Sequence, residues 1–299
     1  MTQSPLATRL GIVGTGRVAR VLAAALAPCS AAPPLLWGRN PARVDEALQG
    51  NGGAVAAGDL VALTSACDLI AIAVADDAIP LVTETMASAS LNHRPFIFHV
   101  SGSSGTAPLS GLQRGGALTA AIHPAMTFTG DTVVELERLP TAHFAVTGSS
   151  PAAITQGLAL VQAIGATAVE ISEAQRPLYH AALCHAANHL VTLIAGASEA
   201  LATAGAPDPG AFLAPLARAA LENSLARGMS ALSGPILRGD ATTVASHLRA
   251  IERDTPSLLQ PYSAMARATL EALDRDGKKR ANAELRSLLE QAPSAPERD

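Results

Sequence analysis

The chain has 299 residues, of which 48% are hydrophobic, and a formal net charge of -4. A chain of this length can bury a substantial core, and two domains are the expected number. The charge is small and no block of like charges occurs, which argues against nucleic acid and against an anionic membrane surface as partners. A small molecule is therefore the expected partner.

The cellular setting can be read from the first residues and the cysteines. The first ten residues, MTQSPLATRL, lack the basic start and the apolar run of a secretory signal. Cys29, Cys67 and Cys184 form a small, odd and widely spaced set, which argues against disulfides and against a zinc site. The stretch from Leu178 to about Gly205 approaches the length of a membrane span, but histidines, an asparagine and a glutamate interrupt it. We therefore expect a cytoplasmic protein.

Short β-like runs alternate with helix-length segments from Arg9 to about Ser172, which is the pattern of βαβ units. Several of the runs are continuously apolar, as in a sheet covered by helices on both faces. The pattern predicts an α/β domain with a Rossmann-like parallel sheet over residues 1–172. The predicted strands are RLGIVG, PPLLWG, GAVAA, DLIAIAV, PFIFHV, LTAAIHP, HFAVTG and ATAVEIS.

Helical segments punctuated by proline and glycine follow, as far as about Gln291. The helix from about Glu173 to Ala204 is apolar almost all round, so we expect other helices or a second subunit to bury it. The sequence predicts an all-helical substrate and dimerisation domain over residues 173–291 and a homodimer formed through its helices. Residues 292–299 are rich in proline and charge, and we expect a disordered tail.

A glycine-rich turn follows the first predicted strand and opens a helix, which is the place of a dinucleotide-binding loop. Gly14 would permit the tight turn, Gly16 would let a pyrophosphate approach the backbone, and Ala19 would permit close packing of the helix. The phosphates would then lie at the helix N-terminus, where free N–H groups favour anions. The residues that fit G-x-G-x-x-G/A are Gly14, Thr15, Gly16, Arg17, Val18 and Ala19.

The end of the second strand indicates which dinucleotide is bound. An NAD enzyme usually carries a carboxylate there for the ribose hydroxyl, whereas this chain has Arg39, Asn40 and Arg43. Guanidinium groups bind phosphate by paired hydrogen bonds, so the tip predicts NADP (NADPH) as the cofactor. Two solvated surface arginines are the alternative.

The fourth strand also ends at this edge of the sheet. Because ligands bind at the carboxyl ends of parallel strands, Val74 and Asp76 are candidate cofactor contacts. Residues 75–80 also fit a helix N-cap followed by a proline in the first turn, and that interpretation is preferred for the acidic pair.

The loops after the fifth and sixth strands carry candidate substrate and catalytic groups. Ser101, Gly102 and Ser103 belong to a loop of hydroxyl residues and glycines that can bring backbone N–H groups close to an anionic substrate. His123 ends the sixth strand and is a candidate proton donor to a carbonyl or imine as hydride arrives. A structural, hydrogen-bonded histidine is the alternative.

On the long helix, His180, Cys184 and Asn188 recur at every fourth residue and so share a face. In a cleft between domains, Asn188 would hydrogen-bond substrate and His180 would assist proton transfer. Histidines of a core or an interface are the alternative. His185 and His189 have the spacing of zinc ligands but lack the H-E-x-x-H pattern, so we expect no metal.

A compact turn, Ser233 to Asp240, interrupts the helical region. Arg238 in this turn is a candidate clamp for a substrate carboxylate. It could equally pair with Asp240 at the surface.

These segments together resemble bacterial Rossmann-like proteins with a C-terminal domain of unknown function, relatives of 6-phosphogluconate dehydrogenase and pyrroline-5-carboxylate reductase. The resemblance implies a C-terminal domain like that of 6-phosphogluconate dehydrogenase, a substrate border at Ser101 to Ser103, and a match of Asn188 to the asparagine of a K-x-x-x-N helix motif. Cys184 occupies the lysine position, and LSGPILRGD departs from the pyrroline-5-carboxylate reductase signature, so neither substrate is carried over. The segments that carry the resemblance are GIVGTGRVAR, WGRNPAR, HVSGSSG, HPAMTF, YHAALCHAANHL and LSGPILRGD.

Two functions follow from these residues. The first is an NADPH-dependent oxidoreductase that moves hydride to or from a small carbonyl, hydroxyl or imine compound, with His123, His180 and Asn188 as its polar groups. The second is a non-catalytic NADP-binding protein that regulates a partner, an alternative prompted by the missing lysine.

Overall fold

The computed structural model describes residues 6–49, 53–91, 94–275 and 283–290. The chain divides into two compact units, residues 1–184 and 185–299. This division falls inside the longest helix, later than the predicted end of the first domain at Ser172. The predicted disordered tail, residues 292–299, lies outside the described residues.

The first unit contains an eight-stranded sheet with the order β3-β2-β1-β4-β5-β6-β7-β8. Each predicted strand is present, which confirms the α/β fold class. The strands are β1 (Ala7–Val13), β2 (Ser30–Trp37), β3 (Val55–Ala56), β4 (Leu69–Ile72), β5 (Phe96–His99), β6 (Leu118–Pro124), β7 (His143–Gly148) and β8 (Thr167–Glu170).

Helices connect these strands and make up the described secondary structure of the second unit. Side chains of Asp59, Asp131 and Ser150 accept backbone N–H groups at the starts of three of the helices and so fix where these begin. The helices that begin in the first unit are α1 (Arg17–Leu26), α2 (Pro41–Gln49), α3 (Leu60–Ala66), α4 (Ile79–Met86), α5 (Ser110–Arg114), α6 (Thr132–Arg138), α7 (Pro151–Ala163) and α8 (Arg176–Thr203). Those of the second unit are α9 (Pro209–Arg227), α10 (Pro235–Arg238), α11 (Ala241–Asp254), α12 (Leu259–Arg275) and α13 (Ala283–Glu290).

The strand order places a topological switch point beside β1. The chain moves outward from β1 to β2 and β3 and then returns to pair β4 on the other side of β1. Val13 at the end of β1 lies in register with Trp37 of β2 and Ile72 of β4. Because ligands of open α/β sheets bind at such a point, the loops after β1, β2 and β4 are placed to form one site.

Neighbouring residues of the central strands pack into separate apolar clusters on the two faces of the sheet. In β4, Leu69 and Ala71 join one cluster, whereas Ile70 and Ile72 join the other. This arrangement follows from the alternation of side chains along a strand. It explains why the sequence shows continuous apolar runs and confirms that both faces are covered.

The sheet is not wholly parallel, which corrects the expectation from the sequence. β7 runs antiparallel to β6, with His123 opposite Ala145, while β8 is parallel to β7. Antiparallel neighbours can begin and end at the same edge, so the connection of residues 125–142 does not cross the sheet. This connection, which contains α6, therefore starts and ends at the carboxyl edge of β6.

In the second unit, α11, α12 and α13 enclose a separate apolar core that includes Val244, Leu270 and Leu285. The helices α8 and α9 differ, because many of their large apolar side chains are exposed in the single chain. The stretch Glu173–Thr203 has the length and composition of a membrane span, and none of its most apolar window is buried within the chain. The exposed apolar residues of the two helices in this unit include Leu190, Val191, Leu193, Phe212, Leu216, Leu221 and Leu225.

Candidate functional site

The turn after β1 requires glycine at its first position. Gly14 has a φ of 127°, in the region that favours glycine. A Cβ atom at Gly14 would lie 2.2 Å from the carbonyl oxygen of Ala73, and the Gly14 N–H donates to the Trp37 carbonyl at 2.8 Å. The glycine therefore lets the ends of β1, β2 and β4 approach one another closely.

The second glycine of the turn leaves an open helix N-terminus. Gly16 is the N-cap of α1, and in the described part of the chain no side chain caps this helix and no acidic residue occupies its first turn. A Cβ atom at Gly16 would meet no atom within 4 Å. Unpaired N–H groups and the positive end of the helix dipole thus border free space, which suits a phosphate.

A cleft of about 360 Å³ surrounds this turn. It contains most of the residues that the sequence predicts as cofactor contacts. Arg17, Val18 and Asp76 are not in the lining, and the Arg17 guanidinium donates instead to the Phe128 carbonyl at 3.3 Å. The lining residues are Gly14, Thr15, Gly16, Trp37, Gly38, Arg39, Asn40, Arg43, Ala73, Val74, Ala75, Ala78 and Val82.

Two arginine side chains with exposed guanidinium groups line this cleft. Arg39 and Arg43 are exposed, and neither side chain has a hydrogen bond or a close ion pair to any described residue, although the Arg43 charge contributes to lowering the pKa of Glu46. Asn40 has a structural part, since its side-chain oxygen accepts the N–H of Ala42 at 3.0 Å at the start of α2. By contrast, Arg20 on α1 pairs with Glu46. The arginines at the rim of the cleft are therefore available to an anion.

His99, the last residue of β5, holds the loop of residues 101–106 through both nitrogens of its ring. Nδ1 of this histidine accepts the Ser101 N–H at 3.1 Å, and Nε2 contacts the Gly105 carbonyl oxygen at 2.7 Å. Because Nδ1 is an acceptor, the proton of the neutral ring is on Nε2 and is donated to Gly105. Burial lowers the pKa of His99, so the neutral ring is favoured.

A buried arginine at the start of α8 also holds this loop. Arg176 is 0% exposed, and its guanidinium donates to the carbonyl oxygens of Ser101 at 2.6 Å, Ser104 at 3.1 Å and Ala145 at 3.3 Å. Burial lowers the pKa of Arg176. The arginine joins the loop to β7 and has no nitrogen without a backbone partner.

Carboxylates bond to the same loop on the exposed side. Glu173 accepts the backbone N–H of Thr106 at 2.9 Å. Asp76 accepts the hydroxyl of Ser101 at 2.7 Å and that of Ser103 at 3.3 Å, both through Oδ2. The interpretation of residues 75–80 is confirmed in part: Pro80 lies in the first turn of α4, whereas Ala78 is the N-cap and no side chain caps the helix.

The predicted catalytic histidines meet beside the loop. The rings of His123 and His180 are 5.9 Å apart, and a Cβ atom at Gly102 would lie 2.3 Å from Cδ2 of His180 and 3.0 Å from Nε2 of His123. Nδ1 of His123 is 2.9 Å from the hydroxyl of Tyr179. Cys184 lies one turn further along α8, with Sγ 3.7 Å from Nε2 of His180.

Electrostatics keep this phenol and imidazole pair neutral. Burial, followed by the charges of Arg176 and His180, lowers the pKa of His123 to about 4. Burial raises the pKa of Tyr179, although the Arg176 charge acts in the opposite direction. Near neutral pH the pair therefore consists of a neutral imidazole bonded to a phenol, which can pass a proton without a standing charge.

The remaining predicted residues belong to the second unit. Asn188 and Arg238 are exposed, and their proposed contacts with substrate stay predictions. Asp240 accepts the N–H and the hydroxyl of Thr243 at the start of α11, and no ion pair joins it to Arg238 in the described chain. The described residues contain no group of at least three metal-ligating side chains.

Four of the residues that build this site were not predicted from the sequence. His99 and Tyr179 lie inside the segments HVSGSSG and YHAALCHAANHL, so their positions beside a predicted site were a usable signal. Glu173 and Arg176 lie far along the chain from the loop that they hold. Their contacts with the loop could not be predicted, because they form only when the fold brings the start of α8 next to the end of β5.

Comparison with known proteins agrees with this architecture. Residues 142–269 match the family model described as Domain of unknown function (DUF2520). This match, which extends from β7 to α12, confirms the C-terminal domain of unknown function that the resemblance implied. No curated protein sequence matches the chain.

Solved structures share the fold over nearly the whole chain. A candidate NADP oxidoreductase from Bacteroides fragilis has a TM-score of 0.71 and 20% identity, over 88% of this chain and 98% of its own. A reductive aminase from Aspergillus terreus, in complex with NADPH and ethyl-5-oxohexanoate, has a TM-score of 0.66 and 19% identity, over 95% and 98%. An imine reductase from Myxococcus stipitatus, in complex with NADP+, has a TM-score of 0.64 and 15% identity, over 95% and 99%.

Proposed function

We propose that this chain is an NADP-dependent oxidoreductase that transfers hydride to or from a small carbonyl, hydroxyl or imine compound. The observation that carries the proposal is the cleft after β1, where the uncapped N-terminus of α1 and the free guanidinium groups of Arg39 and Arg43 border the same space. These groups fit the pyrophosphate and the 2'-phosphate of one dinucleotide.

The cleft also fits the rest of such a cofactor. When bound, NADPH supplies the hydride. The turn from Gly14 to Gly16 would hold the pyrophosphate, and Asn40 and Val74 would line the cleft on either side of it. Arg17 and Val18 would support the turn without contacting the cofactor. Arg17 donates a hydrogen bond to the Phe128 carbonyl, and Val18 packs on the core.

Substrate would lie where the cleft meets the loop of residues 101–106. Ala75 and Ala78 line the cleft, and Asp76 between them bonds to Ser101 at 2.7 Å. His123 is the proposed proton donor, with Tyr179 bonded to its other nitrogen and His180 beside it. For Asn188 and Arg238 the proposal of substrate contacts rests on the sequence alone.

The solved neighbours support the cofactor part of this proposal, since two of those named above were determined with NADPH or NADP+. A non-catalytic NADP-binding regulator remains the second candidate. It is favoured by one observation, the thiol of Cys184 at the position where the resemblance implies a catalytic lysine.

We also propose that the protein acts in the cytoplasm as a homodimer formed through its C-terminal helices. On α9, Phe212 and Leu216 lie on one face and Leu221 and Leu225 on the opposite face, and all four are exposed in the single chain. A helix that is apolar on opposite faces needs cover on both. A monomeric mass by light scattering at micromolar concentration would refute the dimer.

The test of the enzymatic proposal is NADPH consumption, followed at 340 nm, with a panel of keto acids, simple ketones, aldehydes and cyclic imines. Steady turnover with any member that is lost in His123→Gln supports the oxidoreductase and rejects the regulator. Tight NADPH binding without turnover across the whole panel would favour the regulator.

A further inference from the structure

The charges around the loop of residues 101–106 distinguish between possible substrates. Arg176 provides the nearest buried positive charge, but it is 0% exposed and its guanidinium is bonded to three backbone carbonyls. A substrate carboxylate cannot reach it without breaking those bonds. The usual means of binding an organic acid, a free guanidinium, is therefore absent from the described residues that hold this loop.

The charges that are accessible at this loop are negative. Asp76 and Glu173 are both exposed, and both carboxylates bond to the loop. Beside the loop, His123 and Tyr179 form a neutral pair, and the imidazole of His180 lies next to them. A carboxylate placed here would meet like charges, whereas a cation would meet opposite ones.

Asp76 has a specific atom for such a cation. Its Oδ2 accepts both serine hydroxyls, at 2.7 Å from Ser101 and 3.3 Å from Ser103, and these bonds hold that oxygen at the loop. Its Oδ1 has no hydrogen-bond partner among the described residues. A carboxylate held at the loop through one oxygen, with the other oxygen free and next to the cleft residues Ala75 and Ala78, is suited to accept an N–H group of a charged nitrogen.

We propose that Asp76 binds a positively charged nitrogen of the substrate, so that the enzyme reduces imines through their iminium form, or oxidises amines, and does not use keto or hydroxy acids. This inference rests on the proposed function and deepens it. It also moves Asp76 from the predicted cofactor contacts to the substrate side of the site.

The reaction balances with the groups present. A proton from water passes through the Tyr179–His123 pair to the imine nitrogen, so that the pair stays neutral and hydroxide is left in the solvent, and Asp76 stabilises the resulting cation. Hydride from NADPH then adds to the carbon, the π electrons of the C=N bond pass to nitrogen, and a neutral amine and NADP+ are formed. The carbon is reduced by two electrons and the cofactor is oxidised by two.

A series of ligands with one ring and three charges tests the proposal without knowledge of the natural substrate. Cyclohexylamine, cyclohexanol and cyclohexanecarboxylate would be titrated into the full chain saturated with NADP+. We expect the ammonium ion to bind about tenfold or more tightly than the other two, as for a hydrogen bond between charged groups. Raising the salt concentration from about 0.05 to 0.5 M should weaken the binding of the amine and leave the binding of the alcohol unchanged.

Two isosteric variants complete the test. Asp76→Asn removes the charge and keeps an acceptor for the serine hydroxyls, and it should abolish the preference for the amine. Asp77→Asn makes the same change in net charge at the neighbouring exposed residue and should keep the preference. The affinity for NADP+ in both variants reports whether the cleft is intact.

The possible failures can be separated. If NADP+ and NADPH do not bind the wild-type chain, the proposed function itself fails. If the nucleotides bind, three results would overturn the assignment of Asp76 while the dinucleotide site stands. The amine would bind no more tightly than the alcohol or the carboxylate, or its affinity would not depend on salt, or it would not bind at a concentration of about 10 mM, which would already detect a very weak complex.

Discussion

The hydroxyl of Tyr179 lies 2.9 Å from Nδ1 of His123 and so joins the first turn of α8 to the end of β6. The second unit contains a matching pair, in which the hydroxyl of Tyr262 lies 2.9 Å from Nδ1 of His247. The two bonds differ in their surroundings, because His247 is exposed whereas His123 is half-buried. This difference allows the contribution of the first bond to be measured against an internal control.

Tyr179→Phe should lower the free energy of unfolding by about 1–2 kcal/mol, because it leaves a half-buried ring nitrogen without its partner. Tyr262→Phe should cost less, since water can replace the phenol at the exposed histidine. Urea denaturation of both variants measures the difference. Equal losses of unfolding free energy in the two variants would show that partial burial does not increase the contribution of the Tyr179–His123 bond.

The depressed pKa of His123 predicts a dependence of stability on pH. In the unfolded chain the ring titrates near its ordinary value of 6.5, whereas in the folded chain its pKa is about 4. Between these values the unfolded state binds more protons, so stability falls as the pH drops from about 6.5 toward 4 and is constant above that window. His99 has a lowered pKa and acts in the same direction.

The contribution of His123 to this loss should amount to at most about 3 kcal/mol. Urea denaturation of the wild type and of His123→Gln between pH 7.5 and about pH 5 measures it. The variant should show the shallower dependence, and His143→Gln, a change at an exposed histidine, should retain the wild-type slope. Parallel curves for the wild type and His123→Gln would contradict the assignment.

Arg176 should contribute strongly to stability, since its removal leaves the Ser101, Ser104 and Ala145 carbonyls without their donor. Arg176→Met should cost about 3 kcal/mol or more and should loosen the loop. Arg253→Met is the control, because Arg253 is exposed and, among the described residues, pairs only with the adjacent Asp254. Thermal unfolding of both variants gives the comparison, and similar midpoints would refute a structural role of the buried guanidinium.

The two glycines of the turn after β1 should respond differently to alanine. Gly14→Ala should destabilise the fold severely, because the new Cβ atom would lie 2.2 Å from the Ala73 carbonyl oxygen at a φ of 127°. Gly16→Ala should leave the fold intact, since no atom lies within 4 Å of its Cβ position. If a phosphate uses that space, Gly16→Ala should weaken NADPH binding by about tenfold or more.

Circular dichroism and an NADPH titration of the two alanine variants decide the matter. A folded Gly16→Ala protein that binds NADPH as tightly as the wild type would show that the phosphate does not approach this residue.

Much of the fold could be predicted because its signals are local. Each strand is a short apolar run, and the turn from Gly14 to Gly16 is contiguous, so both were recognisable without knowledge of the tertiary structure. The direction of β7 was missed because an apolar run does not state which edge of the sheet it starts from. Arg176 was missed because it acts on Ser104, which lies 72 residues away in sequence. The bond from Ser101 to Asp76 was missed because a carboxylate at the start of a helix and one that binds serine hydroxyls look alike in sequence.

The central claim is that the cleft after β1 binds NADP through Arg39 and Arg43. The most direct test is calorimetric titration of NADPH and NADH into the wild type, Arg39→Ala, Arg43→Ala and the control Arg253→Ala. We predict that the wild type and the control bind NADPH at least about tenfold more tightly than NADH, a difference of about 1.4 kcal/mol, and that each change in the cleft reduces this margin. Equal affinities for the two nucleotides in the wild type, or no binding of either, would contradict the claim.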